Sequence, residues 1–461
     1  MKTRKKFLLL TGLIILAMLL VACGGQTTEE PTATPVPAEQ PAEEPEAEEP
    51  AAEEPAEEPM EEPTEEPTEE PTAEPTAEPE EEALGEPLKI GVMTDLSGAL
   101  LLFGQEMLNG LELGFEYATN GTMVAGGRPI ELIVRDDSSD VEAGTAAARE
   151  LIESEGVEIL VGNTSSAVAL QVQQIADENG VLYFPAPAAS PDITGSNWNP
   201  HTFRVCRNAA QDGLTMAAWS LENVGQNYVI LAEDYAFGQA TAAGFQAAFG
   251  ALGANFLTEQ PIFAASDTTD FTPFIQQILD LQPDGVILVW ASNTSGVVLY
   301  EQLTSQGVIG NIPIITGFSS NDLVALLDPG NIGAIGLIVY HYTLPDTEIN
   351  DWLVEHHNEK YGENPDLFSE CGFATAQAIV AALEATGGDT SPEAMTPVLE
   401  GMSFDGPKGT YTIRAEDHQA LAPLYIVRLV SVDDPDQRYF ELVEEVSGEA
   451  SAPPCTAPNC N

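Results

Sequence analysis

From about residue 88 onward, short apolar runs rich in β-branched residues alternate with longer Ala-rich stretches of helical periodicity. Such short runs, bounded by turn residues, are typical of strands buried in a parallel sheet. Strand followed by helix, repeated this often, predicts a doubly wound α/β architecture. The predicted strands are residues 88–93, 130–134, 158–161, 181–184, 228–232, 286–290 and 313–315. The predicted helices are residues 104–120, 141–155, 167–179, 211–223, 239–252, 271–281 and 295–306.

Small polar residues follow several of the predicted strands, and three of them are Ser165, Ser166 and Ser190. In a parallel α/β sheet, ligands bind beyond the carboxyl ends of the strands. A helix N-terminus there offers unpaired backbone N–H groups, and a neighbouring hydroxyl adds a donor, so these loops could hold a carboxylate. Ordinary helix capping explains each of these serines equally well.

The N-terminus has the pattern of a secretion signal, with four basic residues in 1–6 and an apolar run over 7–22. At about 16 residues, the run is shorter than the roughly 20 that a membrane-spanning helix needs. It ends at Ala22-Cys23, which resembles a bacterial lipobox. Residues 1–23 are therefore interpreted as a lipoprotein signal peptide, with Cys23 lipidated and the protein anchored outside the cytoplasm on the cell membrane. The alternative is an ordinary cleaved signal with a chance cysteine.

Residues 24–86 are near-repeats of Glu, Pro, Ala and Thr that contain too few apolar side chains to build a core. Proline favours extended conformations and the glutamates repel one another, so we interpret this segment as a disordered tether. The alternative is an acidic interaction tail. From Leu84 onward the chain still carries 51 of its 74 acidic residues against 11 of its 15 basic ones. Such a body repels nucleic acid, which excludes nucleic-acid binding.

The loops and their order resemble the branched-chain amino-acid binding proteins, which are periplasmic receptors of the type I two-lobed fold. Residues 90–104 match the family's first strand, Ser-Gly turn and aromatic-Gly pair, and residues 162–194 match its serine-bearing loop and Pro-rich turn. Residues 234–238 resemble the pocket loop of the second lobe, and residues 269–271 and 282–286 resemble later landmarks. The resemblance spans roughly residues 88–430.

The resemblance implies two doubly wound lobes joined by a three-segment hinge that close on a small amino-acid-like ligand. It predicts a substrate-binding subunit that delivers this ligand to the permease of an ABC importer, with no cofactor, as a monomer. The implied first lobe comprises residues 87–207 and 343–418, and the second comprises residues 208–342 and 419–445. Residues 446–461 form a cysteine-containing tail. A sensory receptor of the same fold, coupled to a membrane kinase or chemoreceptor, is the alternative.

By the same resemblance, Ser166 binds the α-carboxylate of the ligand, with Ser165, Ser190 and Ala188 near it. Aromatic walls for an apolar ligand tail come from Phe103, Tyr235, Phe237 and Trp290, although Trp290 could equally be a core residue. Where the family presents a carboxylate to the ligand's ammonium, this chain offers only Asp322. Ligands with an ammonium and ligands without one, such as amides, urea-like compounds and aromatic acids, therefore both stay open.

Four cysteines besides Cys23 allow three disulfide connectivities, and an exported chain favours disulfides. Cys455 and Cys460 enclose a short loop, so we pair them with each other and pair Cys206 with Cys371. The histidines show no metal-ligand spacing with these cysteines, which predicts that there is no metal site. The sequence also lacks the nucleophile elbow, the P-loop, the dinucleotide motif and the His-Glu-x-x-His motif, which argues against an enzyme.

Overall fold

The computed structural model describes residues 84–460. The predicted signal peptide, the lipidation site Cys23 and the tether up to residue 83 lie outside the described residues. Within residues 84–460, no helix combines the length and the apolar character that crossing a membrane requires.

A five-stranded sheet in the order β2-β3-β1-β4-β5 forms the first large layer. Its strands run parallel except for β2, which is antiparallel to β3. The strands are β1 (Leu88–Thr94), β2 (Val124–Ala125), β3 (Arg128–Asp136), β4 (Ile159–Gly162) and β5 (Leu182–Phe184). The helices between them are α1 (Leu101–Ala118), α2 (Val141–Glu150) and α3 (Ser166–Asn179).

A second sheet has the order β10-β9-β6-β7, with β8 also paired to β6, and all of its pairings are parallel. Its strands are β6 (Asn227–Glu233), β7 (Asn255–Phe256), β8 (Ile262–Ala264), β9 (Gly285–Val289) and β10 (Ile314–Ile315). The helices of this part are α4 (Ala209–Asn223), α5 (Ala236–Ala251), α6 (Thr272–Leu281), α7 (Asn293–Ser305) and α8 (Asn321–Val324).

The seven predicted strands are confirmed, each with its ends within two residues of the prediction. The seven predicted helices are also present, but the one predicted for 141–155 ends as an α-helix at Glu150 and continues as a π-helical turn over Leu151–Glu155. Gly156 then adopts the left-handed conformation that closes this turn (φ 71°). The strand–helix alternation therefore predicts the architecture of both large sheets.

Two small antiparallel sheets that the sequence does not predict complete the fold. One joins β11 (Ile335–Ile338), β15 (Leu424–Leu429) and β16 (Phe440–Val446), and the other joins β12 (Ser403–Gly406), β13 (Gly409–Ile413) and β14 (Ala420–Leu421). The remaining helices are α9 (Glu348–Tyr361), α10 (Ser369–Thr386) and α11 (Pro392–Leu399).

Helices α1 and α10 pack unusually closely because glycines face the contact. A Cβ atom on Gly110 would lie 1.8 Å from the carbonyl oxygen of Ser369, and one on Gly372 would lie 2.1 Å from that of Met107. Only glycine allows two backbones to approach this far. The contact fixes the start of α1 against the start of α10, where Phe103 meets Phe368 edge to face with ring centroids 5.2 Å apart.

Two disulfides join the cysteines in the described residues. Cys206 is bonded to Cys371 and Cys455 to Cys460. The first bond connects chain segments 165 residues apart, and the residues next to it in sequence are Arg207 and Glu370. It therefore fixes the two segments that carry these charged side chains.

Candidate functional site

A cavity of about 120 Å³, here called the cleft, lies where the carboxyl ends of strands from both large sheets meet. Phe103 and Ser166, which follow β1 and β4, form part of one wall. Phe237, Trp290 and Thr316, which follow β6, β9 and β10, form part of the opposite wall. Ligands of parallel α/β sheets bind at this end of the strands, so a molecule in the cleft touches both sheets' loops.

Five of the nine predicted ligand-binding residues line the cleft, and they are Phe103, Ser166, Tyr235, Phe237 and Trp290. The four that do not line it are Ser165, Ala188, Ser190 and Asp322. The segments that the sequence pattern singles out thus adjoin the cleft, but the pattern does not resolve which residue of each segment faces the cavity.

Ser165, Ala188 and Ser190 lie behind the wall of the cleft, where each is less than 5% exposed. The carbonyl oxygens of Ala188 and Ser190 accept hydrogen bonds of 3.3 and 2.7 Å from the guanidinium of Arg204. The Ser190 hydroxyl accepts the N–H of Asp192, as a helix cap does. These residues shape the wall through the backbone.

Ser166 is the predicted hydroxyl that does reach the cleft. Its Oγ accepts the N–H of Ser190 at 3.1 Å, and no acceptor for its hydroxyl hydrogen is present among residues 84–460. Ser166 also opens helix α3, so unpaired N–H groups and the positive end of the helix dipole lie beside it. Its hydroxyl can therefore donate to a ligand oxygen.

Aromatic rings make up much of the cleft wall. Tyr235 and Phe237 lie with ring centroids 5.9 Å apart, and Phe318 packs against Phe440 at 4.9 Å. Burial raises the pKa of the Tyr235 hydroxyl well above its ordinary value, so this group stays protonated. Rings held by other rings form a rigid apolar surface, which suits the apolar part of a small ligand.

Arg207 supplies the positive charge of the cleft, and the sequence reasoning missed it. Its Nη2 lies 3.4 Å from Asp212 Oδ2, and its guanidinium lies over the ring of Phe368 with Cζ 5.3 Å from the centroid. Nε and Nη1 are buried, and the described residues provide no hydrogen-bond partner for either. These two donors lie on different edges of the guanidinium, so each can donate one hydrogen bond to a separate ligand oxygen, and the positive charge suits an anionic ligand group.

Two sequence signals could have pointed to Arg207. It is one of only 11 basic residues from Leu84 onward, and it lies after Cys206 at the predicted boundary between the first and second lobes. A cation beside a hinge in so acidic a chain is a candidate ligand contact. The neighbouring hydroxyl of Thr241, which is 3% exposed and lacks a partner within the described chain, carries no comparable signal.

A buried ionic network lies near Arg207. Lys408 Nζ lies 3.3 Å from Glu370 Oε2 and donates to the carbonyl oxygen of Val339 at 3.1 Å, and the Tyr411 hydroxyl donates to Glu370. Both charged side chains are less than 5% exposed. Burial lowers the pKa of Lys408, and the charge of Glu370 opposes this shift. Asp212 belongs to the same group of charges, since burial raises its pKa while Arg207 and Lys408 oppose that shift.

Asp322 lies in a separate pocket of about 110 Å³ with Glu106, Glu363, Asp366 and His357. The short helix α8 carries Asp322 there, while the N–H of Asn321 donates to Asp366 Oδ2 at 2.7 Å. Asp322 is exposed and does not line the cleft. An ammonium group bound in the cleft therefore does not meet Asp322.

Burial raises the pKa of Asp366 to about 7, and the charges of Asp322 and Glu363 add to this effect. Burial and the charge of Asp366 also raise the pKa of Glu106. An unfolded aspartate has a pKa of about 3.9. The folded state therefore binds more protons, and the resulting stabilisation is complete below about pH 4 and lost as the pH rises through about 7.

Replacing Asp366 by Asn should flatten this pH dependence. We expect the free energy of unfolding of the wild type to fall between pH 5 and pH 8, and the variant to lose about 2 kcal/mol less over that interval. Urea unfolding at several pH values measures the difference. Glu359→Gln, at an exposed position of α9, is the control and should keep the wild-type slope. Equal slopes for Asp366→Asn and the wild type would contradict this assignment.

Among residues 84–460, no group of three or more His, Cys, Asp and Glu side chains is arranged to hold a metal ion. His357 lies in the acidic pocket, but its Nδ1 is paired with the carbonyl oxygen of Glu363 at 2.8 Å.

Comparison with known proteins identifies the family. Residues 87–434 match the family model of the periplasmic binding proteins. A Leu/Ile/Val-binding protein homolog of Brucella abortus is 24% identical over 361 residues, which cover 77% of this chain and 93% of that protein. A crystal structure described as an ABC-type branched-chain amino acid transporter from Rhodopseudomonas palustris is 33% identical, with a TM-score of 0.66. That match covers 80% of this chain and 99% of the other.

Two further solved structures share the fold. An ABC transporter substrate-binding protein from Sphaerobacter thermophilus is 26% identical with a TM-score of 0.71, and the match covers 78% of this chain and 98% of that one. A solute-binding protein from Rhodopseudomonas palustris in complex with 4-hydroxybenzoate is 22% identical with a TM-score of 0.71, covering 79% and 97%. These likenesses confirm the predicted type I periplasmic binding fold. The chain belongs to the periplasmic binding protein family.

Proposed function

We propose that this chain is the extracytoplasmic substrate-binding subunit of an ABC importer and that it captures a small carboxylate by closure of two lobes. The observation that carries the proposal is the pairing, in one cleft, of the unpartnered guanidinium donors of Arg207 with the Ser166 hydroxyl and aromatic walls. The relatives described as ABC-type binding proteins support the transport role. The protein acts as a receptor and has no catalytic step.

The ligand class follows from the charges that face the cleft. A carboxylate can bind Arg207 and Ser166, but Asp322 lies in another pocket and Asp212 already pairs with Arg207. Asp212 Oδ1 has no hydrogen-bond partner among the described residues, but an α-ammonium that reached it would lie near the Arg207 cation that already shares this carboxylate, and the like charges would repel. Related carboxylates without an ammonium, including aromatic acids, fit the cleft better than branched-chain amino acids do.

The lobes of the proposed receptor keep the predicted boundaries, with crossings near residues 205–210, 340–345 and 415–420. Hinge closure of this kind, for which periplasmic binding proteins are the standard example, serves as a signal only when the ligand binds the closed state more tightly. Contacts from Ser166 on one side and Phe237 and Trp290 on the other meet this condition. A permease then distinguishes the closed receptor from the open one.

The proposal includes a lipid anchor at Cys23 and a monomeric state. Metabolic labelling with a radioactive fatty acid tests the anchor, because label should enter the wild type and be absent from Cys23→Ala. Light scattering of the purified protein measures its molar mass and so tests the monomeric state. Labelling that persists in Cys23→Ala would reject this anchor site.

A thermal-shift screen tests the proposed ligand class. Amino acids, their amides, urea-type compounds and small carboxylic acids are added to the purified protein, since any ligand of the folded state raises its unfolding temperature. Shifts confined to carboxylates without an ammonium support the proposal. Shifts confined to leucine, isoleucine and valine would contradict it and show that the ligands are branched-chain amino acids. Solute uptake by cells with and without this chain then separates importer from sensor, because only an importer's transport depends on this chain.

Replacing Ser166 by Ala should weaken carboxylate binding by about 1 to 3 kcal/mol, since one hydrogen bond to a charged group is lost. Isothermal titration calorimetry measures the change. Ser165→Ala is a matched control, because Ser165 precedes Ser166 but does not line the cleft. An unchanged affinity for Ser166→Ala would remove this hydroxyl from the ligand site.

A further inference from the structure

A second, larger cavity of about 440 Å³, here called the chamber, lies beside the cleft. Helix α7, strand β10, helix α8 and the start of β11 form its walls. Most of the side chains that define it are apolar. Six of these are Val297, Tyr300, Ile314, Leu323, Leu327 and Ile335. The chamber is therefore suited to an apolar group.

The cleft and the chamber share part of their walls, namely Trp290, Ala291 and residues 316–319. Trp290 is held by a 3.2 Å hydrogen bond from its Nε1 to Ser295 Oγ and by the edge of Phe271 at 5.1 Å. Phe318, which also lines both cavities, is held by Phe440. Two rings in fixed positions thus flank the place where one cavity adjoins the other.

The sizes of the two cavities indicate which part of a ligand each cavity could hold. Sites for drug-sized ligands are roughly 300 to 1,000 Å³, so the cleft of about 120 Å³ suits a head group and the chamber of about 440 Å³ suits a larger group. The charges also differ. Arg207 lines the cleft beside its partner Asp212, whereas Glu301 and Asp328 line the chamber without a basic residue and disfavour an anion there.

We propose that the chain binds an elongated monocarboxylate whose uncharged apolar tail extends past Trp290 and Phe318 into the chamber. This inference rests on the proposed function, because the carboxylate head is held by Arg207 and Ser166 in the cleft. The tail gains affinity from burial against the chamber wall. A second carboxylate at the far end of the tail is rejected by Glu301 and Asp328.

Calorimetric titration of the full chain with straight-chain carboxylates from butanoate to decanoate tests the inference. Each methylene buried in the chamber should tighten binding roughly fourfold, the gain expected from about 0.8 kcal/mol per buried methylene. Octanedioate should bind more weakly than octanoate. An affinity that stays flat or falls beyond pentanoate, with butanoate still bound, would overturn the inference and leave the proposed function intact. Binding of no carboxylate would overturn the proposed function and this inference with it.

A variant whose side chain fills the chamber distinguishes binding in the chamber from binding in the cleft. Val297→Trp should weaken octanoate binding at least tenfold and leave butanoate binding unchanged, since Val297 lines only the chamber. Leu327→Trp, in the loop after α8, should act in the same way if Val297→Trp does not fold. Leu252→Trp replaces an exposed leucine outside both cavities and should change neither affinity. Unchanged octanoate binding in a folded chamber variant would contradict the inference.

Discussion

Replacing Arg207 by Gln is expected to weaken carboxylate binding by about 2 to 4 kcal/mol, which is roughly 30- to 1,000-fold in the dissociation constant. The variant loses the two buried guanidinium donors that have no partner in the described chain. It also loses the positive charge that compensates a ligand anion for its lost hydration in the cleft. Lysine at this position keeps the charge but not the separate Nε–H and Nη1–H donors, so Arg207→Lys should show a smaller loss.

Calorimetry with the tightest carboxylate found in the screen measures this effect. Arg438→Gln is the matched control, because the Arg438 side chain is 67% exposed and does not line the cleft. The loss of Arg207 also leaves the buried Asp212 without its cation, so thermal unfolding without ligand is measured alongside. Asp212→Asn in the Arg207→Gln background should recover stability but not binding. Ligand affinity equal to that of the wild type would exclude Arg207 from the site.

The sequence predicts the two large sheets because most of their central strands are buried on both faces. Such strands are continuous apolar runs, and residues 228–232 and 286–290 show this pattern clearly. Strand β16 is different, since Phe440–Val446 carries charged residues and exposes Leu442 and Val443. A strand with this composition gives no buried-run signal. Strand β16 was missed for this reason, whereas β11 and β15 are largely buried apolar runs that the strand–helix alternation did not single out.

The candidate site was predicted in part because some of its residues follow strand ends. Phe103, Ser166 and Phe237 lie in the first turns of the helices that follow β1, β4 and β6, and the position of these helix starts is a property of the parallel sheet. Arg207 and Phe368 reach the cleft from segments that tertiary packing and the Cys206–Cys371 disulfide bring together. No local sequence pattern predicts a contact between segments so far apart in the chain.

Replacing Lys408 by Met should lower the free energy of unfolding by about 3 to 5 kcal/mol, the usual result of removing one partner from a buried ion pair. Glu370 would stay buried, and of the two groups that contact its carboxylate, Lys408 and Tyr411, only the Tyr411 hydroxyl would remain. The Val339 carbonyl would also lose the hydrogen bond from Lys408. Urea unfolding at pH 7 measures the change, and Lys360→Met, at an exposed position of α9, should cost much less.

A second substitution distinguishes the destabilisation caused by the unpaired buried charge of Glu370 from the destabilisation caused by lost packing. Glu370→Gln in the Lys408→Met background removes the uncompensated charge, so the double variant should be more stable than Lys408→Met alone. No recovery would mean that Lys408 stabilises the fold through its aliphatic chain and the Val339 carbonyl rather than through Glu370. Because Glu370 adjoins Cys371 and that cysteine is bonded to the neighbour of Arg207, Lys408→Met should also weaken ligand binding. A stability loss without any change in affinity would show that this network supports the fold but does not position Arg207.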